Sequence, residues 1–213
     1  MMRTSVFIAG LIFLTSHAGF AQNPSGSCDS PTYEKRSKEL QEIVKADQDD
    51  RQKIPLSQDV ISRDIARRMR VGEIFGEGCF KSAADFSAAA LVYQHGSVSD
   101  HFFQTFIWSK RAVELGDVSQ KVLMAWGLDR YLVNLGKKQL FASQFYQFNG
   151  GCWCLQPVEE SFPDKKRIEY TKHPLADSFK GVDRMNKGTK CPAATECSTP
   201  LSASPAGTVP GFW

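Results

Sequence analysis

What this sequence lacks narrows it first. Past the opening stretch there is no apolar run of the roughly 20 residues that a membrane-spanning helix needs, so no stable membrane span is expected later in the chain. Histidine is scarce, four in 213 residues, and none stands at ligand spacing beside a cysteine. A zinc site built on Cys152-Trp153-Cys154 and the two tail cysteines would lack its usual partners, so no metal is expected. There is no block of lysine and arginine. The formal net charge is only +3, and the signs alternate along the helical segments, which argues against nucleic acid as the main partner. Gly-x-Ser-x-Gly, His-Glu-x-x-His and the phosphate loop are all missing. "GEIFGEG" has glycines but neither the strand before it nor the helix after it that a dinucleotide loop requires, so no cofactor is expected.

What is present begins with a leader. Arg3, the apolar run "SVFIAGLIFL" and the small residues of "GFA" read as a signal peptide over residues 1–21, with cleavage near Ala21. A single membrane anchor is the alternative, and the run is short for it. The expected location is therefore secreted or periplasmic. Six cysteines follow: Cys28, Cys79, Cys152, Cys154, Cys191 and Cys197. An even count in an exported chain points to disulfides. The favoured pairs are Cys28 with Cys79, and Cys191 with Cys197 as a local loop.

Periodicity predicts a mainly α fold. The reading is a single domain of antiparallel helices over residues 32–186, with one β-hairpin near residues 140–158 and a flexible Pro/Ser/Thr-rich tail over 187–213. A first helix spans about 32–52, with Leu40, Ile43 and Val44 inward. A second starts at a Ser57 N-cap, carries a face of Val60, Ile61, Ile65 and Met69, and ends at Gly76 and Gly78. Three more span about 82–96, with Ala84, Ala88, Leu91 and Val92 inward, 99–115, and 118–135, with Val122, Ala125, Trp126, Leu132 and Val133 inward. Asn149-Gly150 between two aromatic runs predicts a two-residue hairpin loop that pairs Tyr146 with Trp153 and Gln144 with Leu155. Short helices after Pro163 and Pro174 complete the pattern.

Three of these helices put an ionisable group where burial is expected: Asp47 with Arg51, His95, and Asp129 beside Arg130. An unpaired buried charge costs several kcal/mol, so these groups should converge. They either form a salt-bridge network that sets helix register, or line a cleft. In the cleft, His95 would be a general acid or base oriented by Asp47 or Asp129, with Arg51 or Arg130 holding an anion.

Two resemblances follow from motifs. "ALVYQHGSVSDHFFQTFIWSKRAVELGD" resembles under one and a half Sel-like, tetratricopeptide-type helical repeats, and no period recurs elsewhere. The order of "DQDDR", "QH", "DHFFQ", "LDR", "GKKQLFASQF" and "PVEESFPDKKR" over about 40–180 is similar to a bacterial family, often exported, that is catalogued only as a domain of unknown function. Where that family has Tyr-Gly-Thr-Gln, this chain has Phe141-Ala142-Ser143-Gln144. The resemblance implies a polar centre of Asp47, Gln48, Arg51, Gln94, His95, Asp100, Gln104, Asp129, Arg130, Gln139 and Gln144, and implies no activity. The expected role is a binding module whose cleft suits a small polar or anionic ligand, a peptide or a glycan. A hydrolase using His95 with Asp47 or Asp129 is one alternative. A structural network with a protein partner on the outer helical faces is the other.

Overall fold

Seven α-helices and one short hairpin form the described residues, 28–53, 55–148 and 150–213, of a computed structural model. The expected class, mainly helical with a single hairpin, is the observed one. The leader and Asn149 lie outside the described residues.

Local chemistry accounts for most boundaries. Helix α1 (Ser30–Arg51) starts at Asp29, whose side chain accepts from the Thr32 amide, with Pro31 in the first turn. Helix α2 spans Val60–Gly76, and α3 (Ala83–Gln94) opens with a reciprocal capping box between Ser82 and Asp85. Helix α4 is Ser99–Glu114, and a single 3₁₀ turn at Val118–Gln120 leads into α5 (Lys121–Asn134). Gly136, at φ +70°, ends α5 by letting the Lys137 amide reach back to the Leu132 carbonyl at 2.9 Å. Strands β1 (Phe145–Gln147) and β2 (Trp153–Leu155) are followed by α6 (Asp164–Thr171) and α7 (Leu175–Met185).

Helix α3 packs between α1 and α4, and α5 lies against α4. Ala88, Ala89 and Ala90 give α3 a thin waist, and Leu40, Val71, Ile74, Val92 and Trp108 close around it. A second cluster joins Phe106, Leu128 and Leu132 to Leu140, Phe141 and Phe162. Leu40 with Ile43 and Val44, and Ala88 with Val92, face inward as the periodicity predicts.

Helix α2 does the opposite. Ile61, Ile65 and Met69 are exposed, while Asp64, Arg68, Val71 and Ile74 are buried. The reason is an ionic seam. Arg63 and Arg67 bind Asp50, Arg51 binds Asp64, Arg70 binds Glu39 and Arg36 binds Glu77, so α2 meets α1 through charge. Apolar periodicity finds the buried face only where the neighbouring face is apolar. The helix is preceded by Asp59 rather than capped by Ser57, whose hydroxyl instead accepts from the Asp59 amide at 3.4 Å. Trp126, also expected inside, is 44% exposed.

The hairpin is shifted by one residue from the expected register. Phe145 pairs Leu155, Tyr146 pairs Cys154 and Gln147 pairs Trp153. Such a slip turns every side chain to the other face. Here it places Phe145, Trp153 and Leu155 together on a cluster with Phe179 and Val182 of α7. Disulfides fix this arrangement from outside the hairpin. Cys28 pairs Cys79 as expected, but Cys152 pairs Cys191 and Cys154 pairs Cys197, which corrects the Cys191–Cys197 loop. The tail segment lies along β2, with Leu155 donating to the Thr195 carbonyl and Cys197 donating to the Leu155 carbonyl, so each tail cysteine meets the strand before it can meet its neighbour.

The rest of the tail, expected to be flexible, is tied down. Ser202 pairs Lys137 in an isolated bridge, the Ser204 amide donates to the buried Glu159, and Trp213 donates to the Ser204 carbonyl. Val209, Phe212 and Trp213 pack on the second cluster. Three disulfides, with no helix among the described residues long and apolar enough to cross a membrane, fit an oxidising extracellular or periplasmic setting.

Candidate functional site

The polar residues of α1 and α3 do converge. Arg51 Nη1 donates to Asp47 Oδ1 at 2.8 Å, and its Nη2 donates to Asp64 Oδ2 at 2.7 Å. Gln48 Nε2 donates to Asp47 Oδ2 at 2.7 Å. His95 caps the C-terminus of α3 and brings Nδ1 to 3.0 Å from Asp47 Oδ2. Beside this group, Arg63 and Arg67 hold the Asp50 carboxyl well below the usual carboxylate range. In the tautomer that carries its proton on Nδ1, His95 donates to Asp47 and Nε2 is an acceptor. That orientation suits a general base. The surroundings do not: neither Asp47 nor His95 lines the cavities bordered by Trp126, Arg68 or Gln104, and Asp47 and Arg51 are fully engaged with each other and with Asp64, Gln48 and His95. The arrangement joins α1, α2 and the end of α3.

Asp129 has a different office. It is fully buried, and it accepts from the amides of Leu140, Phe141 and Ser143 and from the Ser143 hydroxyl, all at 2.8–3.2 Å. Burial pushes its carboxyl up to about 6, and the four donors oppose that rise. Gln139, also fully buried, braces the same segment. Its amide donates to the carbonyls of Gln144 and Gln156 and accepts from the Gln144 amide. Between them, Ala142 is held at φ +59°, a left-handed conformation that a glycine would adopt without strain.

Arg130 links the two groups. It donates to the Gln94 carbonyl at 2.6 Å and to Gln144 Oε1 at 3.3 Å, and its guanidinium lies over the Phe102 ring. Burial lowers its pKa. Asp129 therefore neither touches His95 nor orients it. Two expected members fall elsewhere. Asp100 is exposed, and Gln104 lines a separate groove with Phe75, Phe86 and Trp108. All six cysteines are in disulfides, so Cys152 and Cys154 offer no thiolate to a metal.

The segment that Asp129 holds is the wall of a cavity of about 460 Å³. Trp126, Phe141 and Phe145 form its apolar sides, and Ser143, Thr171, His173, Asp177, Ser178 and Arg184 its polar ones. Asp177 is paired with Lys180 at 2.8 Å and lies 3.7 Å from His173. Arg184 has no carboxylate within 4 Å among the described residues. Sequence reasoning named none of these groups as site residues. Trp126 reads as core by its spacing, and α7 joins the cavity only through the long-range packing of the hairpin. No protein-family model, no curated protein and no solved structure matches this chain, and the site rests on its own geometry.

Proposed function

We propose that this chain is a ligand-binding module of the bacterial cell envelope, exported after cleavage near Ala21, whose ligand is a small neutral saccharide. Its site is the cavity between α5, residues 141–145 and α7, rather than the Asp47–His95 cluster. One observation carries this reading: the indole of Trp126 is 44% exposed on the wall of a cavity whose other side carries Ser143, Asp177 and Arg184. Among the exposed aromatics of the described residues, Trp126 is the one that lines this cavity. A sugar ring offers it an apolar C–H face and turns hydroxyls to a carboxylate acceptor and a guanidinium donor. The volume falls in the range of small-molecule sites. Asp129 and Gln139 fix the wall in advance, which removes ordering cost from binding.

The test is a tryptophan-fluorescence titration of the full chain with a panel of neutral mono- and disaccharides. At least one should bind, Trp126→Ala should weaken it by about tenfold or more, and His95→Ala should leave it unchanged. A panel without binding, or equal affinity in Trp126→Ala, overturns the reading.

A further inference from the structure

A second cavity, of about 300 Å³, shares no residue with the first. It lies between α2 and the α3–α4 junction and is lined by Ile65, Arg68, Met69, Gly72, Tyr93, Ser97 and His101. Arg68 is only 6% exposed. Its Nη1 donates to the His95 carbonyl at 2.9 Å. Among the described residues no carboxylate lies within 4 Å of it, and its Nε–Nη2 edge meets no acceptor. Every other arginine of α2 is paired with an acid. A nine-tenths buried cation without a counter-ion is costly unless something supplies the charge.

The neighbours are arranged for that supply. His101 Nδ1 accepts from the Ser97 amide at 3.2 Å, so its proton is on Nε2 and the ring is a donor. Burial, then the Arg68 charge, lower the His101 pKa, with Asp100 opposing, so the imidazole is neutral and adds no second cation. The free edge of Arg68 is the planar pair of parallel N–H groups that matches a carboxylate. On the outer side, Ile65 and Met69 are exposed and run on to Ile61 along one face of α2. A carboxylate at Arg68 would thus have an aliphatic track leading away from it.

We infer that this cavity is a site for a monocarboxylic acid with an aliphatic tail, its carboxylate forked on Arg68 and its tail laid along Ile65, Met69 and Ile61. This goes beyond the proposed saccharide site and stands without it. The probes are octanoate, butyrate, octanol and inorganic phosphate, added to the full chain while the His101 ring resonances are followed by NMR. Octanoate should shift those resonances and raise the His101 pKa by adding a negative charge beside it. Butyrate should bind about tenfold or more weaker, because it lacks four of octanoate's CH₂ groups and with them most of the apolar contact along that track. Octanol should not bind. Arg68→Lys, which keeps the charge and loses the fork, should weaken octanoate by about tenfold. Unmoved His101 resonances in the native chain overturn the proposal, even if the variant fails to fold. So does tighter binding of phosphate than of octanoate, or equal octanoate affinity in a folded Arg68→Lys.

Discussion

Asp47 and Asp129 are both fully buried carboxylates, and they are satisfied in opposite ways. Asp47 is neutralised by Arg51, which also binds Asp64, while Gln48 and His95 take what remains. Charge answers charge, and the product is a join between helices. Asp129 has no cation within 4 Å among the described residues; backbone amides answer it instead. The product is a loop of fixed shape, and that shape is one wall of a cavity. Similar residues at similar helical positions thus serve cohesion in one region and preorganisation in the other.

The comparison breaks most visibly at Asp129. Asp129→Ala leaves the amides of Leu140, Phe141 and Ser143 without an acceptor and should destabilise by on the order of 4 kcal/mol in urea unfolding, with loss of saccharide affinity in whatever remains folded. Asp47→Ala should cost about 2 kcal/mol, because Gln48 and His95 lose their buried acceptor and Arg51 keeps Asp64 as its only carboxylate, yet leave saccharide affinity unchanged. Protonation separates the two regions further. Asp129 binds its proton more tightly in the fold, at about 6, than in the unfolded chain, at 3.8. Its contribution to stability is therefore fully present below about pH 4 and is lost as pH rises through 6. The stability difference between the native chain and Asp129→Asn should move in favour of the native chain by about 2 kcal/mol between pH 7 and pH 4. His95→Ala should cost only about 1 kcal/mol, since Asp47 keeps Arg51 and Gln48. The smallest effect is at residue 142. Ala142→Gly relieves the left-handed strain but loses a buried methyl and loosens the unfolded chain, so it should stay within about 1 kcal/mol of the native stability.

Much of this was legible locally. The inward stripes of α1 and α3 could be read because apolar faces meet them, and Asp47, Arg51 and His95 stand together because periodicity put each on a buried stripe. Asp129, Gln139 and Gln144 also share one neighbourhood, whereas Asp100 and Gln104 lie outside it. What failed is non-local. The buried face of α2 is invisible to apolar spacing because α1 offers it Asp50 and Glu39. The hairpin register depends on Cys191 and Cys197, some forty residues away along the chain. The ordered tail depends on Glu159 and on aromatic contacts of Phe212. Nothing in the spacing of Asp47 and Asp129 distinguishes a side chain that will meet a guanidinium from one that will meet a row of amides, and that distinction decides which cluster borders open space.

The most direct test is a saccharide titration of the full chain followed by ¹⁵N–¹H NMR. The account predicts that the Trp126 indole and the amides of Ser143 and Gly181 shift first, while those of Gln48, Arg51 and His95 stay fixed. Shifts centred on His95 and Gln48, with Trp126 silent, would contradict it.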